Sequence, residues 1–228
     1  MEMNEEMENM QEVEGLDDIE MDNTPVDDLD TENVSLIFTA FDGSGSMYPH
    51  ISDMKQCLKK FRQALQDSKQ ADEILLARAD FASNINIGGY KPVDQLDTNF
   101  NAGGCTVLYD VIVEGVEKLL KYRQFLKDQS MRVKAVFAVF SDGEENGSCH
   151  DLGEAKDAIA KLNKEEITTA FISFGSGAQA EAKKLGFRNL LTVNSSASDL
   201  RKAFDRLSKS VIESSKTAIP DGEDFFKV

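Results

Sequence analysis

The chain has 228 residues, with 41 Asp and Glu against 25 Lys and Arg and a net charge of −16, which suits one domain of ordinary size plus a tail and excludes a duplex-binding surface built from clustered Lys and Arg. The longest apolar run, Ala135 to Phe140, is far too short to span a bilayer, and the acidic start lacks the basic and apolar regions of a secretory signal. Three cysteines, Cys57, Cys105 and Cys149, are an odd number that fits reduced thiols in a cytoplasmic protein.

Residues 1–33 carry 14 acids and no Lys or Arg, whereas the remaining chain has 27 acids against 25 bases. Self-repulsion at that density predicts an acidic tail that is disordered in isolation. Met3, Met7 and Met10 recur at helical spacing, and Val13, Leu16 and Ile19 continue the series. The tail therefore reads as a solubiliser, or as a segment that lays an apolar stripe on a partner.

The body, residues 34–216, opens with Val34 to Phe41, an almost continuously apolar run expected of a strand covered on both faces. After a glycine-rich turn, Pro49 opens a helix with Ile51, Met54, Leu58, Phe61 and Leu65 on one face. Ile74 to Ala82 reads as a second strand. An antiparallel edge strand near Ile85 to Val93 follows, with the turn at Ser83-Asn84 or at Gly88-Gly89. Thr106 is placed to cap a helix that buries Leu108, Ile112, Val116 and Leu119. Val133 to Phe140 is the strongest buried-strand signal. A helix from about Asp151, a strand at Thr168–Phe174, a short helix at Ala178–Leu185, a strand at Asn189–Val193 and a closing helix from about Ser198 complete the body. Residues 217–228 form a short C-terminal tail.

Strands alternating with amphipathic helices predict an α/β fold: a doubly wound, mostly parallel central sheet with one antiparallel edge strand and helices on both faces. Sites in such folds form beyond the carboxyl ends of the strands, where the strand order reverses. Three loops at that end carry oxygen-bearing side chains: Asp42-Gly43-Ser44-Gly45-Ser46-Met47, Gly103-Gly104-Cys105-Thr106-Val107-Leu108-Tyr109-Asp110 and Ser141-Asp142-Gly143-Glu144.

In these loops the sequence resembles the von Willebrand factor A family and its metal-ion-dependent adhesion site. The match is to an Asp-x-Ser-x-Ser motif at Asp42, Ser44 and Ser46, a separate threonine at Thr106 and a later aspartate at Asp142. The wording around the motifs is similar to the bacterial intracellular branch. The resemblance implies a Rossmann-like fold and metal ligation by Asp42, Ser44, Ser46, Thr106 and Asp142. It also implies an adaptor or scaffold rather than an enzyme, whose protein partner offers an Asp or Glu to the metal. AAA+ ATPases and kinase or phosphatase modules are the partner classes implied; no nucleic acid and no membrane are expected. Cys105, directly before Thr106, adds an oxidisable thiol to the pattern.

Elementary chemistry agrees with that ligand set. Hydroxyls and carboxylates are hard donors that suit Mg²⁺, with Mn²⁺ or Ca²⁺ as substitutes. Asp42 and Asp142 would repel each other without a cation, raising at least one pKa. Two carboxylates neutralise the dication, and neutral oxygens leave it Lewis-acidic with an open position. The rival function is a Mg²⁺-dependent phosphoryl hydrolase using the same aspartates, with His50 or His150 as a base. Against it, the loop after Asp42 offers serines where a second carboxylate would be needed. Asp110 reads as favouring a helix N-terminus rather than a metal, and Gly175-Ser176-Gly177 as a strand-to-helix turn. Cys105, Cys149, His50 and His150 fit no zinc spacing.

Overall fold

β1, Asn33–Asp42, is buried from Val34 onward, because helices cover both faces of the sheet it centres. Successive side chains point to opposite faces, so one strand feeds two cores. Val34, Leu36, Phe38 and Ala40 enter one, and Ile37 and Phe41 enter the other. The first core is closed by α2 (Leu108–Asp128), α3 (Leu152–Lys164) and α4 (Ala178–Leu185). The second is closed by α1 (Ile51–Asp67) and α5 (Ala197–Lys216). The computed structural model describes residues 23–68, 72–142, 145–174, 178–194, 196–216 and 225–227. The turn expected at Gly175-Ser176-Gly177 and the tail as far as Asp22 lie outside them.

The remaining strands are β2 (Glu73–Phe81), β3 (Ile85–Ile87), β4 (Lys91–Pro92), β5 (Arg132–Ser141), β6 (Thr168–Phe174) and β7 (Asn189–Val193). Their order is β3-β2-β1-β5-β6-β7, with β4 also on β2. β1 pairs in parallel with β2 and β5, and β5-β6 and β6-β7 are parallel as well. The expected doubly wound, mostly parallel sheet is what forms. The chain first winds outward from β1 to β2 and later returns to β5 on the other side. The order therefore reverses at β1 and β5, and the crevice opens above Asp42 and Ser141.

Three boundaries differ from the sequence expectation. The antiparallel edge is split into β3, against Ala79–Phe81, and β4, against Leu75–Leu76. Between them Tyr90 turns its backbone away from β2, its N–H donating to Asn23 Oδ1 at 2.8 Å and its carbonyl accepting from Thr24 N at 2.9 Å. Packed chain is accordingly present already at Asn23, upstream of Val34. Asn23 and Thr24 are buried, the Tyr122 hydroxyl donates to Thr24 O at 2.7 Å, and Val26 and Leu29 pack on the first core. The acid count of this stretch masked its two apolar side chains and its capping oxygens. At the other end, Phe225 is buried in the second core and donates its N–H to Asn189 Oδ1 at 3.0 Å, so the body reaches past residue 216. Among the described residues no helix is long and apolar enough to cross a membrane, and all three cysteines are free.

Candidate functional site

Asp42 ends β1 with no solvent exposure. Its Oδ1 accepts from Ser44 N at 2.8 Å and its Oδ2 from Ser141 Oγ at 2.5 Å, the latter at the end of the neighbouring β5. Burial pushes the Asp42 pKa up; the bonds from Ser141 and Ser44 oppose that rise, and the nearby Asp142 charge adds to it. A carboxylate that is costly to ionise and faces a second carboxylate is one whose charge a cation would stabilise.

Asp42 is followed by Ser44 and Ser46, whose hydroxyls lie 2.9 Å apart at the start of a 3-10 turn, Gly45–His50. Backbone bonds draw the second loop against them: Gly103 N donates to Gly43 O at 2.7 Å and Gly45 N to Gly104 O at 3.1 Å. Gly104 has φ +88°, and a Cβ there would stand 2.3 Å from Ser83 Oγ, so the close approach needs glycine. Ser83 Oγ in turn accepts from Cys105 N at 3.0 Å.

Thr106 is buried but does not cap α2. The helix starts at Leu108 with Val107 in the capping position and no side-chain cap of its own. Its free amides are satisfied from a distant loop instead. Glu145 Oε2 accepts from Leu108 N at 2.7 Å and Tyr109 N at 3.2 Å, and Ser148 Oγ accepts from Tyr109 N at 3.0 Å. Thr106 Oγ1 thus has no hydrogen-bond partner among the described residues, and it lies in the loop drawn against Ser44 and Ser46.

The third loop is zipped to the second. Asn146 Oδ1 accepts from Thr106 N at 2.8 Å, and Asn146 N donates to Thr106 O at 3.1 Å. Asp110 is neither at the metal position nor a cap for its own helix: it accepts from Cys149 N at 3.1 Å and His150 N at 2.8 Å. Glu145, Asn146 and Ser148 had no legible signal, because each works by a contact some forty residues away in sequence. Asp142 itself is half-buried and makes no hydrogen bond or ion pair with another described residue.

The structure therefore puts Asp42, Ser44 and Ser46 in direct contact, ties the Thr106 loop to them, and starts the Asp142 loop from Ser141, which holds Asp42. Among the described residues no three His, Cys, Asp or Glu side chains form a metal group; this site has two carboxylates and must rely on hydroxyls for the rest. His50 stands edge-on to Phe174 with centroids 4.8 Å apart. His150 Nδ1 lies 3.1 Å from Glu154 Oε2.

Glu145 accepts five hydrogen bonds, with Gly147 N, Ser148 N and Ser148 Oγ added to the two helix amides. A carboxylate at a helix N-terminus also meets the positive end of the macrodipole. Glu145→Ala should lose about 1–2 kcal/mol in urea unfolding, the scale of a lost cap. Amide exchange should accelerate at Leu108, Tyr109, Gly147 and Ser148 together. Exchange that quickens only in the 145–148 loop would refute the cross-loop cap.

No family model matches the sequence, and no curated protein matches it. Solved structures do. Proximal thread matrix protein 1 from the mussel byssus aligns at TM-score 0.57 and 20% identity, covering 79% of this chain and 46% of that one. The pilus adhesin SpaC of Lactobacillus rhamnosus GG aligns at 0.60 and 12%, covering 81% and 30%. A von Willebrand factor type A protein of Catenulispora acidiphila aligns at 0.54 and 15%, covering 80% and 43%. The chain spans less than half the length of each. The mussel protein has also been solved with a zinc-occupied MIDAS motif. The fold of this chain is thus that of von Willebrand factor A domains.

Proposed function

We propose that the chain binds a divalent cation, Mg²⁺ in the first instance, through Asp42, Ser44, Ser46, Thr106 and Asp142, and uses it to bind a protein partner that supplies an Asp or Glu. The observation that carries this reading is the donor chemistry at one strand-end crevice. Buried, hard-to-ionise Asp42 lies beside paired Ser44 and Ser46 hydroxyls, and the Thr106 hydroxyl has no hydrogen-bond partner among the described residues. All five donors are oxygen, which suits a hard cation. The zinc-occupied motif of the similarly folded mussel protein lends support. A dication balanced by two carboxylates and otherwise by neutral oxygen remains electrophilic and accepts an outside carboxylate.

The role this implies is an adaptor or scaffold in the cytoplasm, with AAA+ ATPases or kinase and phosphatase modules as partner classes. The hydrolase reading is less well supported, because the loop after Asp42 offers Ser44 and Ser46 where a second carboxylate would be needed.

Affinity capture with Mg²⁺ and with EDTA, using wild type and Ser46→Ala, tests the proposal. Ser46 is exposed, so its hydroxyl can be removed without opening a core. Capture should be strong only for wild type with Mg²⁺, and Ser46→Ala should retain the wild-type melting temperature in EDTA. Capture that survives both EDTA and the substitution would move the contact elsewhere. Mg²⁺-dependent turnover of a phosphate ester by wild type, lost in Asp42→Asn, would favour the hydrolase.

A further inference from the structure

Among the described residues, the exposed large hydrophobic side chains are Tyr48, at 69%, and Leu152, at 36%. Tyr48 borders the site, two residues past Ser46 in the 3-10 turn that follows Asp42, whereas Leu152 opens α3. Tyrosine is among the side chains most enriched at interface hot spots. The surface fits an acidic residue with apolar neighbours.

The chain carries such a segment itself. Residues 1–22 hold ten acids and no Lys or Arg, interleaved with Met3, Met7, Met10, Val13, Leu16 and Ile19. The structure fixes where this segment departs. Asn23 and Thr24 are held by Tyr90, Lys91 and Tyr122, and Lys91 is paired with Leu76, partway along β2. From there to the carboxyl end of β2 is five residues, about 16 Å at a strand's rise, and the crevice lies some two to three strand spacings, about 10–14 Å, across the sheet. The span is roughly 20 Å. A chain covers at most about 3.5 Å per residue, so Asp18, Glu20 and Asp22 fall short and Asp17 arrives only when fully stretched. Glu14, Glu12 and Glu8 reach with slack, and they flank Val13 and Met10.

We propose that Glu8, Glu12 or Glu14 of the chain's own N-terminal segment docks on the metal at the Asp42 crevice, with Met10 or Val13 against Tyr48, so that the segment competes with outside carboxylates. This rests on the metal-binding reading above. The contact is cation-dependent by charge: without metal, Asp42 and Asp142 repel the acids, and with metal they do not. Tethering supplies a high effective concentration for an individually weak contact.

The test uses the full chain, ¹⁵N-labelled, at low ionic strength, with Mn²⁺ as the paramagnetic probe and Mg²⁺ as its diamagnetic match. Docking predicts strong broadening of amides 8–14 together with Gly45 and Thr106, all lost in Asp42→Asn. Replacing Glu8, Glu12 and Glu14 by Gln should leave Gly45 and Thr106 broadened, release the tail signals, and weaken Mn²⁺ binding roughly two- to fivefold. Broadening at Gly45 and Thr106 without the tail overturns the docking and leaves the metal reading standing. No broadening at Gly45 and Thr106 overturns both. Tail broadening that persists in Asp42→Asn means the acids bind Mn²⁺ on their own, and broadening of labelled Asp42→Asn chains by unlabelled wild type means a second copy is the acceptor. Either result rejects docking within one chain.

Discussion

Asp42→Asn should abolish the thermal stabilisation of the protein by Mg²⁺ while leaving the metal-free protein at least as stable as wild type. A ligand that binds only the native state at a hundred times its Kd adds about 2.7 kcal/mol, which is roughly 5–10 °C for a domain of this size. The amide is nearly isosteric: Oδ1 still accepts from Ser44 N, and Nδ2 can donate to Ser141 Oγ once that hydroxyl rotates. What disappears is a charge that burial penalises. The sign follows from linkage. A carboxyl whose folded pKa is raised costs stability above that pKa, and the cost fades as pH falls through it. The variant's advantage in EDTA should therefore be present at neutral pH and vanish in acid. Calorimetric melts with Mg²⁺ and with EDTA measure both effects. An equal Mg²⁺ shift in wild type and Asp42→Asn would remove Asp42 from the donor set.

Gly115→Ala should destabilise the fold by about 1–2 kcal/mol, against the expectation from helix propensity. In an open helix the change is favourable by up to about 1 kcal/mol. Here Gly115 faces the sheet from the middle of α2, and an added Cβ would lie 2.5 Å from Phe38 Cζ and 3.2 Å from Phe137 Cε2. Those two rings stack in parallel with centroids 4.7 Å apart and are completely buried. They sit on adjacent paired strands, so neither can withdraw without moving backbone, and overpacking of this kind costs about 1–3 kcal/mol. Urea unfolding of Gly115→Ala, Phe38→Leu and the double variant distinguishes the causes. Leucine lacks the outer ring atoms, so the double variant should be more stable than additivity predicts. If Gly115→Ala alone is stabilising, propensity dominates and α2 is not packed this closely on β1.

The apolar runs of β1 and β5, the spacing of Met54, Leu58, Phe61 and Leu65 on α1, and the alternation of strand and helix were legible because they are local. Each depends on residues within one element, and periodicity reports directly which faces are covered. The strand-end loops with Asp42, Ser44, Ser46, Thr106 and Asp142 were legible for a related reason, since the doubly wound architecture dictates which loops share the crevice. The sequence did not disclose that Asn23 and Thr24 fold back on Tyr90, that Tyr90 splits the edge strand, that Phe225 returns to the second core, or that Glu145 caps α2 in place of Thr106. All four are bonds or packings between residues 36 to 67 positions apart. Local propensity carries no information about such pairs: a glutamate in a loop or two polar residues in an acidic stretch become caps only when the sheet brings an unsatisfied amide to them. The amino-acid sequence by itself determined the architecture and which strand-end loops adjoin one another. Only the tertiary structure decided which side chains hold that crevice in shape and where Asn23 and Thr24 are anchored, because both depend on backbone groups that find their partners after the sheet has closed.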